Sequence, residues 1–307
     1  MRVPTNHREN RPGGKYLFLA PPLRGDKICQ TAMTATDPLS AEATPPPRPR
    51  SLLPQEHGAW GQMAMPLASA LALGGPAPAA MLLALATVLG FLAHEPLLVV
   101  IGHRGARAQR EAGPRARRVA WRLLWGAAVA GAAGTLLAPR EARLALLVPA
   151  ALVAGVAAFV LARRERTVPG ELTVVTALAS SGFAVTLAGG APLRVAAAAT
   201  ATWMLAFAAS VFAVQVVLVR AHSRGEAEHG ARNAAVAAAI WLLGGAAALS
   251  AGLGWVVLLA VAPTALLSLV VCLAPFSARQ LRTLGWGLVG ATSATLVVLL
   301  VGLRLDR

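Results

Sequence analysis

His94-Glu95-Pro96 interrupts an apolar run, Met81 to Ile101, that carries no other ionisable side chain. An imidazole beside a carboxylate is suited to acid–base work. Inside a bilayer a carboxylate costs about 2.5–3.5 kcal/mol on insertion scales, so it needs a partner or a wet cavity. Pro96 lacks an N–H and leaves the Leu92 carbonyl without its helical donor, which opens local space. Three roles are open for Glu95: acid–base group with His94, proton-coupling carboxylate, or one half of a Glu–Arg pair that only locks two helices.

Other polar groups gather at what should be the same membrane face. Glu56 and His57 stand at the entry to the first apolar run, where a glutamate also suits a helix N-terminus. His103, Arg104 and Arg107 follow the run that holds Glu95, and Gln215, Arg220, His222 and Arg224 close a later one. Guanidinium groups pair bidentately with phosphate oxygens. His94 and Glu95 are therefore the catalytic candidates. Glu56, His57, His103, Arg104, Arg107, Gln215, Arg220 and Arg224 are the candidates for binding an anion. A metal site from His57, His94, Glu95 and His103 has no support in their spacing. Cys29 and Cys272 have no CxxC spacing and read as free thiols.

The chain has no Walker A, GxGxxG, HExxH or GxSxG signature. Aspartate is absent between Asp37 and Asp306, so a Mg²⁺–diphosphate site built on aspartate pairs has no ligands. No motif names a cofactor.

The elements that must position these residues are membrane helices. Of 307 residues, 56% are hydrophobic and 13% charged, against about 25% charged in a soluble domain. Mean hydropathy is +0.62. That excludes a soluble enzyme and predicts an all-α polytopic bundle. About nine spans are expected, near 58–74, 78–101, 119–138, 144–162, 171–189, 194–219, 234–251, 254–273 and 284–303. Gly74-Gly75-Pro76, Pro139, Gly189-Gly190 and Pro275 punctuate them.

Charge tests the count. With the N-terminus inside, 22 of the 28 Lys/Arg fall on inside segments: eight in the tail, six from Arg104 to Arg118, three at Arg163–Arg166, three at Arg220–Arg232 and two at Arg279 and Arg282. Outside segments hold five, and Arg122 lies just within the third span. This predicts the N-terminus inside and the C-terminus outside, in a cell inner (plasma) membrane. The net charge of +15 reads as a topology signal in short gaps rather than as a nucleic-acid stripe.

Residues 1–50 are Pro/Arg-rich with no apolar run, and are expected to form a disordered cytoplasmic tail without a signal peptide, ahead of a membrane domain over 51–307. Lysine and tyrosine occur only before Met33, so the segment is either an ordinary arm or lies upstream of a true start at Met33. Phe91 and Arg104 align with Phe207 and Arg220 at one offset of 116 residues, a hint of an internal repeat.

Pro54-Gln-Glu-His-Gly-Ala-Trp60, with Pro66 downstream, resembles the opening of the YwiC-like family of bacterial membrane proteins. The likeness covers about residues 52–303 and implies a multi-pass protein without a settled biochemical function. More distantly, nine helices with polar segments after spans two and six resemble the UbiA-type prenyltransferase architecture. That family carries Asp-rich motifs in those segments. Here they hold His94, Glu95, His103, Arg104, Arg107, Gln215, Arg220, His222 and Arg224, a departure that counts against Mg²⁺-dependent prenyl transfer. The partners read from the sequence are the bilayer and an anionic lipid or phosphorylated isoprenoid in an inner-leaflet cavity. A proton-coupled small-solute transporter and a non-catalytic membrane partner are the alternatives.

Overall fold

The computed structural model describes residues 51–53, 57–165, 167–222, 227–274 and 280–306; for His57, 218–222, 227–230 and Leu281 it describes the backbone alone. These residues fall in one unit, Arg48–Arg307. Glu56, Arg224 and the tail 1–50 lie outside them.

The described residues form helices and no strands: α1 (His57–Gly74), α2 (Pro78–Val100), α3 (Ala106–Leu137), α4 (Arg140–Ala145), α5 (Leu147–Leu161), α6 (Val168–Ala188), α7 (Leu193–His222), α8 (Ala227–Ser250), α9 (Val256–Leu273) and α10 (Leu281–Leu305). The all-α membrane bundle read from composition is the fold. Eight stretches are long and apolar enough to cross a membrane, with α4 and α5 together making one of them. Where the first span is expected the structure has a helix, α1, 18 residues long, but it is not one of those eight. That length covers about 27 Å at 1.5 Å per residue. His57, Gln62, Ser69 and three glycines keep it below the apolar level of those eight. A less apolar α1 is tolerated because one side packs among α2, α6, α7 and α10, and the residues exposed on the other are Gly58, Trp60, Ala64, Ala68 and Ala72.

One boundary differs from expectation in a way that matters. The third span was expected to begin near residue 119, after a basic loop; α3 begins at Ala106. Ala108, Ala112, Ala116 and Ala120 recur every four residues and are all buried. Their small side chains let α3 lie close along α2, so the helix continues through the basic stretch. Arg107, Arg110, Arg115, Arg117, Arg118 and Arg122 are consequently exposed on one helix rather than strung along a loop.

α2 and α3 form an antiparallel hairpin. Gly126 faces Leu89, Gly131 faces Ala86 and Gly134 faces Leu83, which fixes its register. Its turn holds Gly102 at φ +80° and Gly105 at φ +91°, left-handed conformations that favour glycine. Pro78 stands at the first position of α2, where its missing N–H costs nothing. Thr167 caps α6, accepting from the Gly170 N–H at 3.3 Å. α6, α7 and α9 are the most enclosed spans, and α3, α5, α8 and α10 lie at the periphery. Trp203, Phe207, Val256, Val257 and Leu299 are fully buried where α7, α9 and α10 meet.

Candidate functional site at the polar end of the bundle

Glu95 is buried on α2, and its neighbour His94 is exposed. Successive helical residues point about 100° apart, so the two cannot share one enclosed face. Glu95 turns toward the α2–α3 turn. There Arg104 Nε donates to Oε1 at 2.9 Å and Nη2 donates to Oε2 at 2.5 Å. This forked geometry fits a planar guanidinium to a carboxylate. Both oxygens are engaged, and the pair carries no net charge. The glycine-bounded turn is what brings Arg104 back over the end of its own helix.

His103, next to Arg104, points across to another element. Its Nδ1 lies 3.8 Å from Oε1 of Glu165 in the α5–α6 connection, beyond hydrogen-bond range. The His103 side chain is 91% enclosed, at 9% exposure. Glu165 Oε2 is buried and meets no hydrogen-bond partner among the described residues. A few residues on, Gln215 Nε2 of α7 donates to Oε2 of Glu171 in the first turn of α6 at 2.9 Å. Glu165 and Glu171 bracket the start of α6. The α2–α3 turn, the α5–α6 connection and the late part of α7 therefore share one end of the bundle.

Arg107 is not part of this group. It is 84% exposed and pairs along α3 with Glu111, its Nε donating to Oε1 at 2.7 Å. His57 stands at the start of α1 and Arg220 lies within α7, each with only its backbone described; Glu56 and Arg224 lie outside the described residues. Arg104 sits in a turn and Arg220 inside a helix, so the two positions aligned by the offset of 116 differ locally. Among the described residues no three His, Cys, Asp or Glu side chains form a metal-binding group. Cys272 is buried.

Glu165 and Glu171 were not singled out from the sequence. A signal existed: acids number 13 in the whole chain, so each one beside an apolar run needs a partner. Gln109, Arg117 and Arg118 were also missed. With Val100, Gly113 and Pro114 they line a recess of about 560 Å³ on the hairpin. The four-residue spacing of Gln109, Gly113 and Arg117 pointed to one helix face.

A family model described as YwiC-like protein matches residues 53–186. Over that stretch, which is less than half of the chain, the sequence is similar to that family. The match bears out the likeness read from the Pro54–Trp60 segment over residues 53–186, but does not extend it to 303. The YwiC-like stretch carries His94, Glu95, His103, Arg104, Arg107, Glu165 and Glu171, whereas Gln215 and Arg220 lie beyond it. No curated protein and no solved structure matches the chain, and these comparisons do not show the UbiA-type likeness.

Proposed function

We propose that this multi-pass membrane protein resides in the cell inner membrane with its polar end toward the cytoplasm, and that it holds an anionic lipid-like ligand there. One observation carries the reading: the charge at that end is unbalanced. Glu95 is neutralised by Arg104 and Glu111 by Arg107, Glu165 faces His103, and Glu171 accepts from Gln215. Arg110, Arg115, Arg117, Arg118, Arg163 and Arg164 are exposed there, and none pairs with a carboxylate among the described residues. Cationic side chains at a cytoplasmic membrane surface attract anionic headgroups, at about 1 kcal/mol each. No residue is assigned a catalytic role: the Glu95 carboxylate is taken up by Arg104, and His94 faces away from it.

Mass spectrometry of lipids carried through gentle detergent purification tests the reading. Anionic lipids should be enriched over their share of the source membrane. A retained pool with the same headgroup composition as that membrane would refute it.

A further inference from the structure

The recess on the α2–α3 hairpin has one wall of Val100 and Pro114 and a rim of Gln109, Arg117 and Arg118. The Gln109 side chain is already committed, donating from Nε2 to the Val100 carbonyl at 2.7 Å, and closes one end. Arg117 and Arg118 are exposed, and neither meets a carboxylate among the described residues. The site thus offers two adjacent guanidinium groups above an apolar wall.

What lies next to it along the helix decides the class of ligand. Gly113, Arg117, Trp121 and Trp125 recur every four residues and share one face of α3. Trp121 is 55% exposed and Trp125 65%. Exposed tryptophans on a membrane helix mark the interface between headgroups and acyl chains. The same level is marked independently. Trp60 of α1 packs edge-on against Phe91 of α2, ring centroids 5.6 Å apart. The hairpin register that sets Leu89 against Gly126 puts Phe91 at about the level of Trp121 and Trp125 along the helix axis. Arg117 is one helical turn from Trp121 on the polar side. The recess therefore stands at headgroup depth and opens onto an aromatic, lipid-facing track.

We propose that this recess binds an anionic glycerophospholipid of the surrounding leaflet, its phosphate on Arg117 and Arg118 and one acyl chain along Trp121 and Trp125. The assignment rests on the anionic-ligand reading above and gives it a location and a ligand class. Guanidinium groups supply charge-assisted donors to the phosphate oxygens. The tryptophan faces supply apolar contact that free phosphate cannot use.

The full-length protein in phosphatidylcholine nanodiscs, titrated with phosphatidylglycerol and read by native mass spectrometry, tests the site. Wild type should retain phosphatidylglycerol in preference to phosphatidylcholine. Arg117→Gln with Arg118→Gln should weaken that preference by about tenfold or more. Arg110→Gln with Arg115→Gln removes the same charge from α3 outside the recess and should change it by less than about threefold. Gly113→Leu should act like the first pair by filling the recess. A Cβ at Gly113 meets only Gln109 Cγ, at 4.0 Å, so the fold should tolerate it; an unchanged thermal midpoint checks this. Equal losses from both arginine pairs would overturn the location while leaving the broader reading intact. No preference for phosphatidylglycerol in wild type would overturn both. Displacement of the bound lipid by millimolar inorganic phosphate would show that the site recognises free phosphate, and would overturn the lipid assignment.

Discussion

Arg104 grips Glu95 with two parallel hydrogen bonds across a single tight turn, so that one residue of the α2–α3 hairpin neutralises the carboxylate buried in the helix before it. Glu95 and Arg104 side chains are 12% and 27% exposed. Removing one partner of an enclosed pair leaves an uncompensated charge, at about 3–5 kcal/mol for full burial and less here. Glu95→Leu alone should therefore lower the thermal midpoint in detergent clearly. Glu95→Leu with Arg104→Leu should recover most of the loss. A single variant as stable as wild type would show that the pair contributes nothing to the fold.

A second contact ties α1 to the centre of the bundle. The Trp203 indole N–H of α7 donates to Ser69 Oγ of α1 at 2.8 Å, and both residues are buried. Ser69→Ala leaves that donor without its acceptor in an apolar interior, which costs about 1–3 kcal/mol. Adding Trp203→Phe removes the donor. Its further effect should be smaller than that of Trp203→Phe in the wild-type background. A double-mutant cycle on thermal midpoints reads the coupling; additive losses would show that the bond carries no energy.

Where α1 ends, its backbone touches the end of α6. A Cβ at Gly74 would fall 2.5 Å from the Thr186 carbonyl oxygen, and one at Gly189 would fall 2.6 Å from the Gly74 carbonyl carbon. Neither backbone group can swing aside as a flexible side chain does. Gly189→Ala should destabilise by about 1–3 kcal/mol. Gly90→Ala on α2 meets nothing within 4 Å and should be neutral or slightly stabilising. Equal melting behaviour of the two variants would refute the close approach.

Orientation is open to a direct test. With 22 of 28 Lys/Arg on one set of segments and α1 counted as a span, the positive-inside rule predicts the C-terminus outside. A reporter active only outside the inner membrane should be active when fused to the C-terminus, and a cytoplasmic one silent. The reverse pattern would invert the bundle and move the polar end, with the hairpin recess, to the outer face.

Nearly all of the helical architecture was legible without coordinates, because hydropathy and punctuation are local. Apolar runs of about 20 residues, broken by Gly74-Gly75-Pro76, Pro139 and Gly189-Gly190, marked where helices start and stop. The cost of a carboxylate in lipid singled out Glu95 before any partner was known. Tertiary structure alone decided which partner it has. Direction around a helix turns by about 100° per residue, which separates buried Glu95 from exposed His94; in the turn after α2, His103 faces Glu165 while Arg104 goes to Glu95. The start of α3 was decided in the same way. Read locally, residues 106–118 are too polar for a span. Packed along α2, their alanines at every fourth position find a surface to bury against, and the arginines between them become one face of a helix. Hydropathy is summed along the chain, whereas pairing depends on what a neighbouring helix presents, and that is fixed only when the helices pack.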